Sequence, residues 1–330
     1  MSLDKNRPLQ YSLAVNEALH QVFAKDKNTL LLGQGVKSPW YVGETATGLL
    51  DAFGPERIID TPVSENAMTG AALGASLAGM RTVVVHPRMD FMLYAFDPII
   101  NEAANWSYMN GGTMCAPLVI WGIINRGGEQ AAQHSQALHA LFGHIPGLKV
   151  VMPSTPYDAK GLMVAAIADD NPVVYIDDRW LHHTDGPVPL ETYEIPIGKG
   201  KIRRNGTDLT LVSVSYMMLP AMAAAEELAT QGIDVEVIDL RTIKPLDTDL
   251  IINSVKKTGR LAVADGGWRS YGIAAEIAAV VMEEAFTALK GPLTRITLPD
   301  APAPASKTLE EAYYIKAADI VREIRQVFAG

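Results

Sequence analysis

The chain has 330 residues, 48% of them apolar and 20% charged, with a net charge of −9. That much apolar material can bury the cores of two domains, while the acidic balance and the lack of any Lys/Arg-rich run exclude nucleic acid or an anionic membrane as the main partner. A single cysteine, Cys115, excludes an internal disulfide and any cysteine-based metal cluster. The N-terminal MSLDKNRPLQ has no apolar segment of the signal-peptide kind, and no run of about 18 apolar residues occurs, so a cytoplasmic location is expected.

Apolar positions at helical spacing from Tyr11 to Lys25 predict a helix, and Thr29 to Leu32 reads as a short buried strand. The glycine-rich loop 33–48 then places Gln34, Trp40 and Glu44 near the carboxyl end of that strand, where open α/β sheets take ligands. The stretch DTPVSENAMTGAALGASLAG (60–79) organises the chain: a turn at Thr61-Pro62, Ser64 as N-cap, and Glu65 in the first turn of a helix built from small residues. Gly70 and Gly74 cost helix stability, which predicts close approach by another element.

Further on, strands are predicted at 81–85, 117–124, 148–152 and 172–176, with helices at 93–108 and 156–168. Strands apolar on both faces and separated by helices imply a parallel sheet covered on both sides. The polar segment NRGGEQAAQHSQ (125–136) presents His134 on a loop. The proline-bearing stretch 179–196 reads as the link between domains, after which a second βα series runs to a last helix at 309–328. The expected fold is therefore α/β with two domains, residues 1–185 and 201–330, joined by a linker at 186–200.

No Walker loop, dinucleotide-type glycine loop or H-E-x-x-H zinc motif is present. The segments FGPERIIDTPVSEN (53–66), AFDPIINEAA (95–104), QHSQ (133–136), HIPGLKVVMPSTPYDAKGL (144–162), DNPVV (170–174) and GIDVEVIDLRTIKPLD (232–247) together resemble the β chain of the thiamine-diphosphate-dependent 2-oxo acid dehydrogenases. The resemblance covers nearly the whole chain. It implies a transketolase-like pyrimidine-binding domain followed by a transketolase C-terminal-like domain. It also implies a reaction in which a 2-oxo acid is decarboxylated and its acyl unit passes to lipoamide.

In that family Glu65 hydrogen-bonds the aminopyrimidine of the cofactor, Phe91 lies against the same ring, and Gln34 and Tyr94 fall beside it. His134 matches the family histidine facing the reacting unit. Leu118, Ala166, Ile167, Asp169 and Asn171 resemble a structural potassium site of carbonyl, carboxylate and amide oxygens. The chain lacks the Gly-Asp-Gly segment with which the family holds a divalent ion, so magnesium and the diphosphate are expected on an α subunit, in a heterotetramer of two α and two β chains served by a lipoyl-bearing acyltransferase. Gln34 stands where many relatives have Glu, Pro98 where Gln is usual, and DGGWRSYG (265–272) where an acidic residue and short glycine run are common. A split transketolase or synthase half, or a non-catalytic assembly subunit, are the alternative readings. The Q-H-S-Q and I-D-L-R-T-I-K-P segments disfavour the first, and retained Glu65, Phe91 and His134 the second.

Overall fold

A computed structural model describes residues 7–329. The chain divides into two compact units, one made of the residues up to Asn125 together with Leu141–Ile197, the other of Arg126–Ala140 together with Gly198 onward. The segment 126–140, placed in the first domain by sequence order, thus clusters with the second unit.

In the first unit, β1 (Arg7–Gln10) leads into α1 (Tyr11–Lys25) and β2 (Thr29–Gly33). Short helices α2 (Pro39–Val42) and α3 (Leu49–Phe53) follow, then β3 (Ile58–Asp60), α4 (Glu65–Leu77) and β4 (Arg81–His86). After α5 (Ala104–Met109) come β5 (Leu118–Ile124), α6 (His139–His144), β6 (Lys149–Val151), α7 (Pro156–Ala168), β7 (Val173–Asp178) and β8 (Asp185–Val188). The central strands run parallel in the order β6-β7-β5-β4-β2-β3. Every residue of β5 and β7 is buried, as continuous apolar runs require when helices cover both faces. Helix α7 is buried over almost its entire length and packs on α1, and Lys160 within it places its ammonium on Glu17 at 2.7 Å and on the Pro189 carbonyl at 2.7 Å.

In the second unit the strands β9 (Lys201–Arg204), β10 (Leu209–Ser213), β11 (Val235–Asp239), β12 (Thr242–Lys244), β13 (Leu261–Trp268) and β14 (Thr294–Leu298) alternate with α8 (Met218–Thr230), α9 (Thr248–Thr258), α10 (Ile273–Glu284), α11 (Lys307–Tyr313) and α12 (Ala317–Ala329). Its sheet has the order β14-β13-β10-β11-β9, parallel except for β9. One core cluster joins α8 and α12 to this sheet through Leu211, Ala221, Leu228, Val237 and Ile324.

Four sequence expectations change. The helix expected over 93–108 is a 3-10 turn (Met89–Ala95), a π-helical turn (Asp97–Ala103) and then α5; Pro98 lacks an N–H and crowds the preceding turn, which disrupts regular α-helical bonding there. The linker contains β8, which pairs antiparallel with β1. The last helix is two, α11 and α12, separated at Tyr314–Lys316. Gly70 and Gly74 have no heavy atom within 4 Å of a notional Cβ, so among the described residues no element approaches the helix there.

Candidate functional site

The carboxyl ends of β2, β3 and β4 lead into Gln34, Glu65, and Phe91 with Tyr94. Gly33 ends β2 where a Cβ would meet the Val85 carbonyl at 2.4 Å, so β2 and β4 close up only because that residue is glycine. Gln34 follows, half-buried. Its loop is pinned to the loop before Glu65: Gly35 N–H donates to the Asp60 carboxylate at 2.7 Å, and Thr61 N–H to the Gly33 carbonyl at 3.1 Å.

Glu65 opens α4, as expected, with Ser64 at the N-cap position but making no side-chain cap bond. The Glu65 carboxylate is half-buried and has no hydrogen-bond or ion-pair partner among the described residues. Helix α4 buries Met68, Thr69, Ala72, Leu73 and Ser76 and packs on β4 and on the 89–95 turn, which carries Phe91, half-buried, and Tyr94, 72% exposed. Glu65, Gln34 and Phe91 thus sit on elements that touch, whereas Tyr94 points largely to solvent. His134 ends a 3-10 turn (Ala132–His134) in the second unit.

Beneath Glu65, one turn along α4, Thr69 Oγ1 lies 3.1 Å from Nε2 of His86, which is 1% exposed. Burial pushes the His86 imidazole down from 6.5 to about 3. The unfolded chain therefore takes up a proton between these values that the folded chain does not. Stability contributed by this neutral histidine is full above about pH 6.5 and declines as pH falls towards about 3. Relative to the wild type, His86→Gln should flatten the acid limb of stability by up to about 1.4 kcal/mol per pH unit. Urea unfolding of both proteins between pH 5 and 7.5 checks this, and parallel curves would refute it.

The potassium expectation meets a different occupant. Arg81 Nη1 donates to the carbonyls of Ile167 at 3.1 Å, Ala168 at 3.1 Å and Asp169 at 3.0 Å, and Nη2 binds Asp170 at 2.6 Å. The Asp169 carboxylate is engaged by Lys149 and by the Asn171 N–H at 2.9 Å. Of the expected ligands, the Ile167 carbonyl and the Asp169 carboxylate already serve fixed positive charge or a backbone donor. The carbonyls in question are those left open at the end of α7, and the two N–H groups of Arg81 Nη1 are shared among three of them.

Several residues escaped the sequence reading. Asn125, after β5, donates from Nδ2 to the Pro87 carbonyl at 2.9 Å and accepts from Arg179 Nε at 3.3 Å. His182 Nε2 lies 2.8 Å from the Asp177 carboxylate, both buried, with the Tyr11 ring stacked on the imidazole at 6.1 Å. In the second unit β13 extends through 265–268, the stretch noted as atypical, and the buried Asp265 carboxylate accepts the Gly267 N–H at 3.1 Å. His139 Nε2 stands 3.0 Å from the same carboxylate, near enough for an ion pair but not aligned as a hydrogen bond.

Among the described residues no group of three or more His, Cys, Asp or Glu side chains could hold a metal ion, and no helix is long and apolar enough to cross a membrane. For thiamine diphosphate, an unpartnered carboxylate on α4 and an aromatic residue on the turn packed against that helix suit the pyrimidine, and among the described residues no acidic cluster serves a metal-bound diphosphate.

Comparison with known proteins gives this geometry a class. A transketolase pyrimidine-binding domain matches residues 7–181 and a transketolase C-terminal domain matches residues 198–320. The β subunit of acetoin:2,6-dichlorophenolindophenol oxidoreductase from Cupriavidus necator is 42% identical, over 98% of this chain and 98% of its own length. The β subunit of the pyruvate dehydrogenase E1 component from Rickettsia felis is 41% identical over 95% and 96%. A solved split-gene transketolase, described as an inactive β4 tetramer, shares the fold with a TM-score of 0.76 at 22% identity, over 96% of this chain and 97% of its own. The chain belongs to the transketolase-type family that includes the β subunits of pyruvate dehydrogenase E1 and of acetoin oxidoreductase.

Proposed function

We propose that this chain is the β subunit of a 2-oxo acid dehydrogenase, which decarboxylates a 2-oxo acid with thiamine diphosphate and passes the acyl unit to lipoamide. The unpartnered carboxylate of Glu65, carried on α4 against the Phe91 turn, supports the reading most directly. When bound, the cofactor supplies the electron sink for loss of carbon dioxide. Glu65 holds and releases a proton at its carboxyl oxygen against the pyrimidine ring, and Phe91 offers a stacking face. His134 donates to, or takes a proton from, an oxygen of the reacting unit.

An α subunit supplies what this chain lacks, the magnesium and diphosphate contacts, and a lipoyl-bearing acyltransferase receives the product; two α and two β chains make the assembly. The exposed small-residue face of α4 (Ala67, Gly70, Ala71, Gly74 and Ala78) leaves room for another subunit's element. The first domain, residues 1–185, binds the pyrimidine, and the transketolase C-terminal-like domain, 201–330, follows a linker at 186–200.

Purified alone, the chain should bind thiamine diphosphate weakly and decarboxylate no 2-oxo acid. One stacking contact at ~0.5–1.5 kcal/mol and one charge-assisted hydrogen bond at ~1.5–3 kcal/mol fall well short of the ~8 kcal/mol that micromolar binding requires. Titrating magnesium and thiamine diphosphate into the chain, with and without an α partner, measures this by calorimetry. Tight magnesium-dependent binding by the chain alone would overturn the two-chain reading.

A further inference from the structure

We infer that Arg88 and Arg179 form an anion-binding site in the first unit, which selects 2-oxo acids carrying a second, non-reacting anionic group; the inference rests on the 2-oxo acid chemistry proposed above. The two arginines follow β4 and β7, with Asn125 between them after β5, the strand that pairs with both. Asn125 fixes the spacing, because its amide bonds the Pro87 carbonyl on one side and Arg179 Nε on the other. Arg179 is held further by donation from Nη2 to the Tyr41 carbonyl. It also lies over Gly43, in left-handed backbone, where a Cβ would come within 3.1 Å of Nη1 and 2.9 Å of His182 Nδ1. The glycine clears space for the guanidinium.

Neither guanidinium is in an ion pair among the described residues, although the charge of Asp177 reaches Arg179. The Asp177 carboxylate is held by His182 at 2.8 Å, and Asp178 accepts the Trp180 N–H at 3.1 Å. Arg88, half-buried, has no hydrogen-bond or ion-pair partner for its guanidinium among the described residues. Burial lowers the pKa of Arg179; Asp177 opposes the shift and the charge of Arg88 adds to it. Two mutually repelling guanidiniums, one of them oriented by an amide, are arranged for an anion between them.

The position ties this anion to the substrate. Arg88 closes the turn that carries Phe91, its carbonyl accepting the Phe91 N–H at 3.2 Å, and the carboxyl edge of an open α/β sheet is where ligands bind. The carboxylate that leaves as carbon dioxide loses its charge in the transition state. Arginines on that group would hold the ground state more strongly than the transition state and slow the reaction. They serve instead a second anion, carboxylate or phosphate, whose charge persists throughout.

Calorimetric titration of the full chain with succinate and with inorganic phosphate, at low ionic strength, tests the site without requiring turnover. Wild-type chain is expected to bind one of them, and Arg88→Gln, which sacrifices no internal contact, to weaken that binding about 10- to 100-fold. Arg88→Lys should recover part of it. With the α partner, 2-oxoglutarate and a phosphorylated 2-oxo acid are compared with 2-oxoisovalerate. The wild type should prefer one of the dianions, the better of the two naming the group, and Arg88→Gln should raise its KM while sparing that of 2-oxoisovalerate. If neither probe binds, or if Arg88→Gln loosens only the association with the α partner, the inference is overturned and the arginines are interface charges. If anion binding behaves as expected but no 2-oxo acid is decarboxylated, the proposed function fails and the anion site stands.

Discussion

Glu65→Gln in the assembled enzyme is expected to slow C2 hydrogen–deuterium exchange of bound thiamine diphosphate by about 100- to 10,000-fold while the chain still folds. The amide keeps the size and hydrogen-bonding shape of the side chain but cannot hold or release a proton at an oxygen, so the substitution isolates proton exchange from packing. Little stability is at stake. Glu65 is half-buried at the first turn of α4 and without a partner among the described residues. The interaction it loses is with the helix dipole, worth ~0.3–1 kcal/mol, against a helix anchored by Met68, Ala72 and Leu73 in the core. Exchange followed by NMR after acid quench gives the rate, and far-UV circular dichroism the fold. An unchanged exchange rate in a folded variant would remove Glu65 from proton handling.

What could be read in the sequence is what periodicity and local chemistry encode. The uniformly apolar runs at 118–124 and 173–176 could only be strands buried on both faces, and they are. The start of a helix at Glu65 was legible because a first-turn acid and a run of small residues are local signals. What escaped depends on partners distant in sequence. Asn125 reads as one polar residue at a strand end, yet it joins Pro87 to Arg179 across three strands. Arg81 looks like the solvated first residue of a strand, and only the fold brings it to the end of α7. The short strand β8 hides among prolines and acquires its structure by pairing with β1, a contact between residues at opposite ends of the unit. A signal for the arginine site did exist in His86-Pro87-Arg88, an abrupt change from apolar strand to proline and cation. It gains meaning only through Asn125, which bonds both the Pro87 carbonyl and Arg179.

His134→Ala should lower the rate of reductive acylation of lipoamide by about 100- to 10,000-fold, the usual effect of removing one positioned proton carrier or donor, while leaving cofactor affinity unchanged. The backbone leading to this residue is strained in a way that a solvent loop is not. Glu129 at φ 61° and Ala131 at φ 60°, ψ −167° occupy regions suited to glycine, at ~1–3 kcal/mol each. That strain is sustained by the second unit itself, where the Glu310 carboxylate accepts the Glu129 N–H at 3.2 Å. Chain geometry this costly persists when the surroundings over-determine it, and it fixes the direction in which the next turn, Ala132–His134, presents its imidazole. Ala131→Gly offers the companion measurement: the strain is relieved, the imidazole is less well directed, and acylation should fall by less than in His134→Ala. Calorimetry of thiamine diphosphate binding to the assembled enzyme, set beside single-turnover acylation, separates cofactor binding from transfer. Acylation at the wild-type rate in His134→Ala would leave the histidine as an ordinary polar residue of the loop.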